Sequence, residues 1–167
     1  MKEGIISLDD YISEKSGKKI ESAGWTYSHS KHKTVLGQNV VVLHYKDDKK
    51  AYGLNYSVYL NKKKSKKVGR EFKTRLERAL EMIEEMYSLG IRGQTIVMDS
   101  WFTTSGLISE IAELEYNWVG RIKSNRICFL AEKPLNVREF ACTIPDEELQ
   151  EVPLIYKTSK KRNPAST

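Results

Sequence analysis

The sequence predicts a mixed α/β fold, in which helices pack on a mixed sheet. The order of its segments indicates this, because three strand-like segments come first and strands separated by helices follow. The chain has 167 residues, of which 40% are hydrophobic and 30% are charged. This length and balance fit one globular domain and exclude disorder of the whole chain.

The first part of the chain contributes three predicted strands. Residues 5–12 combine branched and aromatic side chains, residues 39–45 are strongly β-branched, and residues 51–60 alternate between apolar and polar side chains. Residues 15–33 are rich in Ser, Gly, Lys and His, which predicts an extended loop. The connection over residues 46–50 is short and polar, so the strands on either side of it should form a hairpin.

The second part alternates helices with strands. Apolar side chains recur three and four positions apart in two segments, which is the spacing of a buried helix face. Gly90 is expected to end the first of these helices, and Thr104 or Ser105 is expected to cap the second. The predicted elements are a helix over 71–89, a strand over 95–102, a helix over 105–115 and a strand over 116–122, with weaker strand predictions for 127–130 and 152–156.

The resulting order, β-β-β-α-β-α-β, is that of ribonuclease-H-like domains. A Rossmann-like fold would need a crossover helix after the first strand, and the sequence offers none there. Only two long helices are predicted, although a sheet of this kind is normally covered on both faces. Part of its apolar surface is therefore expected to stay exposed, and we expect a marginally stable, association-prone chain.

Two acids interrupt predicted strands, Asp10 in IISLDDYI and Asp99 in TIVMDSWF. A carboxylate within or at the end of an apolar strand is costly unless a cation pairs with it. The first and fourth predicted strands are neighbours in the expected sheet, so the two acids can converge. Paired carboxylates suit Mg²⁺ or Mn²⁺, while the alternative for each acid is a helix cap or a turn.

The positive charge of the chain is concentrated in one window. Lys and Arg number 28 against 22 Asp and Glu, and residues 61–78 alone hold nine cations against two acids. Such a cluster suits a phosphate backbone, although a solvated loop or an exposed helix face is the alternative. Further cations follow the first acid or the strand over 116–122. The predicted DNA contacts are Lys15, Lys18, Lys62, Lys63, Lys64, Lys66, Lys67, Arg121, Lys123 and Arg126.

Several stretches of the sequence resemble the catalytic domain of DDE transposases from bacterial insertion sequences. LDDYISEKSGKKIESAGWTYSHSKHKTVLGQNVVVLHY resembles the start of that domain and FKTRLERALEMIEEMYSLGI its first long helix. IVMDSWFTTSGLI resembles the motif of the second aspartate, and WVGRIKSNR resembles the strand after it. The resemblance runs from about Ile5 to Arg126, in the order that the family has.

The resemblance implies a chemistry and a set of residues. The first two catalytic and metal-binding carboxylates would be Asp10 and Asp99, with Mg²⁺ or Mn²⁺ as the cofactor. Because Tyr11 stands where the family has a threonine, Asp9 remains an alternative to Asp10. Water and then a 3′-hydroxyl would attack phosphorus in double-stranded DNA, at the ends of the element and at its target.

The family's third acid is a glutamate in a pattern of Tyr, two residues, Arg, three residues, Glu, six residues, Lys. Neither Tyr116 nor Tyr156 has Arg three positions on, so the pattern is not found. The resemblance thus implies a fragment, inactive alone, with a partial core over 1–126 and the start of an inserted β region and a basic tail over 127–167. The alternatives are a non-catalytic DNA-binding remnant, whose partner would be a second copy or a full-length transposase, and a ribonuclease-H-like nuclease.

The remaining features indicate a cytoplasmic protein without a membrane span. No apolar stretch approaches the roughly 20 residues that a span needs, and the first residues do not resemble a signal peptide. Cys128 and Cys142 match no metal-binding spacing and are expected to be buried or idle thiols. Trp25, Trp101 and Trp118 are expected to pack in the fold, with contact to a splayed base as the alternative for Trp101.

Overall fold

The computed structural model describes residues 4–17, 19–20, 22–130 and 133–143. The predicted strand over 152–156 lies outside these residues. The elements are β1 (Ile5–Glu14), β2 (Gly24–Ser28), β3 (Lys33–Lys46), β4 (Ala51–Tyr59), α1 (Lys62–Lys67), α2 (Arg75–Ser88), β5 (Thr95–Met98), α3 (Ser105–Glu113), β6 (Asn117–Gly120), β7 (Ile127–Leu130), β8 (Lys133–Asn136) and α4 (Val137–Ala141).

Six of the strands form one mixed sheet in the order β2-β3-β1-β5-β6, with β4 also paired to β3. β1 pairs with β3 antiparallel and with β5 parallel, and β5 pairs with β6 parallel. This is the ribonuclease-H-like α/β arrangement expected from the sequence. β7 and β8 form a separate two-stranded sheet, followed by α4.

The hydrophobic core lies between one face of the large sheet and the helices α2 and α3. Alternate residues of β1, β3 and β5 point towards the helices, because successive side chains of a strand lie on opposite faces. They meet the apolar stripes that the 3-and-4 spacing predicted. The core includes Ile6, Leu8, Val41, Leu43, Ile96 and Met98 from the sheet, and Ala79, Ile83, Met86, Leu107, Ile108 and Ile111 from the helices.

Local sequence explains where α2 and α3 begin and end. Thr74 caps α2 in a capping box with Glu77, whose side chain accepts a hydrogen bond from the Thr74 N–H. Gly90, which follows the last turn of α2, has a φ of 79°, the left-handed conformation that favours glycine. Of the two candidates for the cap of α3, Thr104 is the residue whose side chain accepts the N–H of Leu107.

Other boundaries differ from the prediction. The expected loop over 15–33 contains the edge strand β2, and the lysine run forms the short helix α1, capped by Asn61. The helix predicted from residue 71 begins at Arg75, and the strand predicted over 95–102 ends at Met98 because the chain turns at Asp99. The last strand of the large sheet is also shorter, four residues in place of seven.

The sheet face turned away from α2 and α3 is open to solvent in the part of the chain that the structure describes. Tyr56 is 72% exposed, Val119 59% and Tyr11 54%. This agrees with the expectation that two helices leave apolar sheet surface uncovered. Among the described residues no helix is long and apolar enough to cross a membrane.

Candidate active site

Asp10 lies on the face of β1 that packs in the core, just beyond the fully buried part of that face. Ile6 and Leu8 are on the same face and almost fully buried, while the Asp10 side chain keeps 20% of its surface exposed. Asp9 is exposed on the opposite face of the strand, and its carboxylate accepts the N–H of Asp10 at 2.8 Å. Of the two acids left as alternatives in the sequence, Asp10 therefore lies on the helix-facing side.

Asp99 is the first residue after β5 and is held by a tight turn. Its Oδ1 accepts the backbone N–H groups of Trp101 at 2.9 Å and of Phe102 at 3.1 Å. The hydroxyl of Thr103, which is buried, donates to the carbonyl oxygen of Asp99 at 2.6 Å. Gly120 on β6 makes room for Thr103, since a Cβ at residue 120 would lie 2.5 Å from its Oγ1.

The sheet brings the two acids together. β1 and β5 are parallel neighbours with Leu8 opposite Met98, so Asp10 and Asp99 lie at the same end of adjacent strands. Both line one cleft of about 470 Å³, whose walls include Asn39, Arg75 and Trp101. Asp9 is not among the residues that line it.

Burial and charge act in opposite directions on Asp10. Burial raises the pKa of Asp10 above its ordinary value, and the Arg75 guanidinium, whose Nη1 lies 2.8 Å from Asp10 Oδ2, lowers it. The negative charges of Asp9 and Asp99 raise the pKa of Asp10 further. The net effect raises the pKa of Asp10. The ionised carboxylate is therefore less stable here than in water, and a bound cation would stabilise it.

The donor set fits one hard divalent cation. Asp10 Oδ1 and Asp99 Oδ2 accept no hydrogen bond from the described residues, whereas the second oxygen of each carboxylate is held by the protein. Mg²⁺ is typically held by one or two carboxylates together with waters and substrate phosphates. Within the described ranges, no group of three or more His, Cys, Asp or Glu residues could hold a metal ion. A second ion would need a further ligand.

The predicted DNA contacts fall into separate groups. Four lysines of α1 are exposed and form no ion pair within the described part of the chain: Lys62, Lys63, Lys66 and Lys67. The amine of Lys64 differs, because it donates to the backbone carbonyls of Ser22 and Ala23 and so ties α1 to the start of β2. All five lysines of α1 remain predicted DNA contacts.

The other predicted cations are spread around the sheet. Arg121 and Lys123 are exposed, Arg126 is half-buried, and the N–H of Arg121 donates to the Met98 carbonyl, which places Arg121 at the Asp99 end. Lys15 follows β1, and its N–H donates to the Leu36 carbonyl. Lys18 lies outside the described residues.

Sequence reasoning missed Arg75 as a site residue and counted it only as one cation of the basic window. Its guanidinium lies 5.2 Å from the centre of the Tyr59 ring and 5.3 Å from that of Trp101. The sequence does contain a hint, because Thr74 and Glu77 form a capping pattern that makes Arg75 the first helical residue. The direction of its side chain depends on contacts that no local pattern contains.

The predictions for the tryptophans are partly confirmed and partly wrong. Trp118 packs against the core, and Trp101 is 37% exposed at the cleft with its ring edge-on to Phe102. The prediction that Trp25 packs is wrong, since it is 69% exposed on the edge strand β2. Cys142 is a free, exposed cysteine.

The fold and the cleft together define a ribonuclease-H-like protein with paired carboxylates at the ends of two adjacent parallel strands. The family model of the DDE superfamily endonucleases matches residues 1–138, and the chain belongs to this family. No curated protein and no solved structure matches the chain. Membership implies a nuclease or transposase type of function, with DNA as the substrate and the divalent metals that such nucleases generally use.

Proposed function

We propose that this chain contributes Asp10 and Asp99 to a Mg²⁺- or Mn²⁺-dependent site that cleaves and joins DNA strands in the transposition of an insertion sequence. One observation carries the proposal. The two acids lie at the same end of adjacent parallel strands, line one cleft, and each keeps one oxygen without a hydrogen bond from the described residues.

The residues of the cleft divide the work of such a site. A divalent cation at Asp10 and Asp99 would stabilise negative charge on the phosphate oxygens during attack at phosphorus. The Asp99 turn fixes one ligand through backbone N–H groups, and Trp101 forms a wall of the same cleft. The exposed lysines of α1 supply the positive charge that a phosphate backbone needs.

Nicking of supercoiled plasmid by the chain in the presence of Mg²⁺ or Mn²⁺ tests the proposal, and with it the expectation that the fragment is inactive alone. Asp10→Asn and Asp99→Asn should each lower the rate by at least about 100-fold, since loss of even a group behind a metal ligand costs about 10- to 100-fold. Asp9→Asn is the matched control, an adjacent acid outside the cleft, and it should keep the activity. Loss of nicking in Asp9→Asn alone would place the ligand on Asp9 and contradict the proposal.

A second candidate function is DNA binding without catalysis. It is favoured by the lack of a third acidic ligand among the described residues, together with the four exposed lysines of α1. In this case the chain would bind DNA and could at most interfere with a full-length transposase. Wild-type chain that shifts DNA on a gel without metal, and nicks none with Mg²⁺ or Mn²⁺, would favour this candidate over the first.

A further inference from the structure

Arg75 lies at the cleft and is held there by several contacts. It is the first residue of α2, whose start is set by the capping box of Thr74 and Glu77. Its guanidinium lies near two aromatic rings, at 5.2 Å from the Tyr59 centroid and 5.3 Å from the Trp101 centroid. A guanidinium within about 6 Å of a ring face is attracted by the ring electrons, so both rings restrict its motion.

The arginine uses this fixed position to hold one oxygen of Asp10. Nη1 lies 2.8 Å from Oδ2, with only 25% of the Arg75 side chain and 20% of the Asp10 side chain exposed. Oδ1 accepts no hydrogen bond from the described residues. The carboxylate therefore has a defined orientation, with one oxygen bound to the guanidinium and the other left for a different partner.

Asp99 is also held through one carboxylate oxygen, but by backbone groups and not by a side chain. Its Oδ1 is bound by two backbone N–H groups, and its Oδ2 is left without a donor among the described residues. Each acid of the cleft is thus held through one oxygen. Rotation of the Asp10 carboxylate away from this orientation would break its contact with Arg75, so the contact restricts the orientation of the group.

We propose that Arg75 is a positioning residue, which binds Asp10 Oδ2 and thereby presents Oδ1 to the same divalent cation as Asp99. The inference rests on the proposed function and adds a residue to it. Arginine suits the role because its planar guanidinium keeps its charge and fixes direction, whereas lysine is a mobile point charge. Groups that hold a metal ligand in this way orient the ligand and strengthen metal binding.

The opposite role for Arg75 predicts an opposite result. If the guanidinium occupied the place of the cation, removing it would strengthen metal binding, because a competitor would be lost. If Arg75 orients Asp10, removing it weakens metal binding by about 10- to 100-fold. The sign of the change in affinity therefore decides between the two roles.

This affinity is measured without any DNA by titrating the full chain with Mn²⁺. The electron paramagnetic resonance signal of the free ion is the readout. Arg75→Gln should weaken binding by about 10- to 100-fold, and Arg75→Lys should restore only part of it. Arg92→Gln is the matched control, since Arg92 also stacks on a ring, that of Tyr87 at 4.2 Å, but forms no ion pair within the described residues. Near-ultraviolet circular dichroism checks that each variant is folded.

Equal or tighter Mn²⁺ binding by Arg75→Gln would overturn the inference, as would full rescue by Arg75→Lys, which would show that charge alone is needed. If Arg75→Gln does not fold, Arg75→Lys still decides, because an affinity equal to that of the wild type contradicts positioning. Asp99→Asn distinguishes a failure of the proposed function from a failure of the positioning role of Arg75. Mn²⁺ binding unchanged in Asp99→Asn would contradict the proposed function itself, whereas loss in Asp99→Asn but not in Arg75→Gln would contradict the positioning role alone.

Discussion

Asp10 and Asp99 lie in one cleft but are held by different parts of the chain. Asp99 is held by the backbone N–H groups of Trp101 and Phe102, and the hydroxyl of Thr103, four positions away, donates to its carbonyl oxygen. Asp10 is held by the side chain of Arg75, which is 65 positions away. The first arrangement is local and the second depends on the packing of α2 against the sheet.

This difference separates what each acid needs from the fold. The turn at Asp99 requires only that β5 ends and that β6 leaves room for Thr103. The orientation of Asp10 requires that α2 begins at Arg75, that Tyr59 and Trp101 enclose the guanidinium, and that β1 lies beside both. Substitutions far from the cleft should therefore affect Asp10 more readily than Asp99.

The largest expected effect is on the Asp99 side, from Gly120→Ala. The added methyl group would lie 2.5 Å from Oγ1 and 3.0 Å from Cγ2 of Thr103, which is buried. Overpacking of this kind costs about 1–3 kcal/mol, which urea denaturation would measure. Gly106→Ala is the control, because a Cβ there meets nothing within 4 Å, and equal loss in both variants would contradict the packing argument.

A smaller effect on the Asp10 side is expected from Thr74→Ala, which removes the cap of α2. Loss of such a cap lowers the free energy of unfolding by about 1 kcal/mol. It also makes Arg75, the first residue of α2, more mobile. Thr104→Ala removes the corresponding cap of α3 and should cost a similar free energy of unfolding. Only Thr74→Ala should also weaken Mn²⁺ binding. The same loss of affinity in Thr104→Ala would show that the two acids are not held independently.

The smallest expected effect is the pH dependence that Asp10 gives to stability. Its pKa is raised above the ordinary value of 3.8, so the folded chain binds this proton more tightly than the unfolded chain. Stability is therefore lost as pH rises from the ordinary value through the raised pKa, and the loss is complete above it. Asp10→Asn removes this loss and should raise the melting temperature at pH 7.

Thermal unfolding from pH 3 to pH 8 would check the sign, since the advantage of Asp10→Asn should shrink as the solution is acidified. Asp9→Asn serves as the control because Asp9 is exposed, and it should give the smaller change. A constant difference between wild type and Asp10→Asn over the whole range would contradict the raised pKa.

The same contrast explains which parts of the site could be predicted from sequence. The apolar run before Asp99, and the order of strands that makes β1 and β5 neighbours, are local or topological features, and both acids were located from them. The choice between Asp9 and Asp10 was left open, because Tyr11 stands where the family has a threonine. Only the packed fold shows which face of β1 the helices cover. Arg75 could not be predicted, since its contact with Asp10 exists only in the packed fold.

The errors in the fold have a similar origin. β2 was predicted as loop because its surroundings are rich in Ser, Gly and Lys, but an edge strand needs backbone partners more than buried side chains. It finds these partners on β3. α1 was left without an assigned structure because six residues with five lysines show no apolar period. Its cap at Asn61 and the hydrogen bonds of Lys64 to the carbonyls of Ser22 and Ala23, just before β2, replace the buried face that a longer helix would have.

The central place of β1 in the sheet has a consequence for the growing chain. Ser7 pairs with Val97, ninety positions later, so β1 has one edge without a partner until β5 has been synthesised. An open strand edge invites pairing with other chains, and charged residues within a strand oppose such pairing. Asp9 and Asp10 place a carboxylate on each face of β1. Charges of this kind on both faces of a strand oppose the pairing of its edge with other chains.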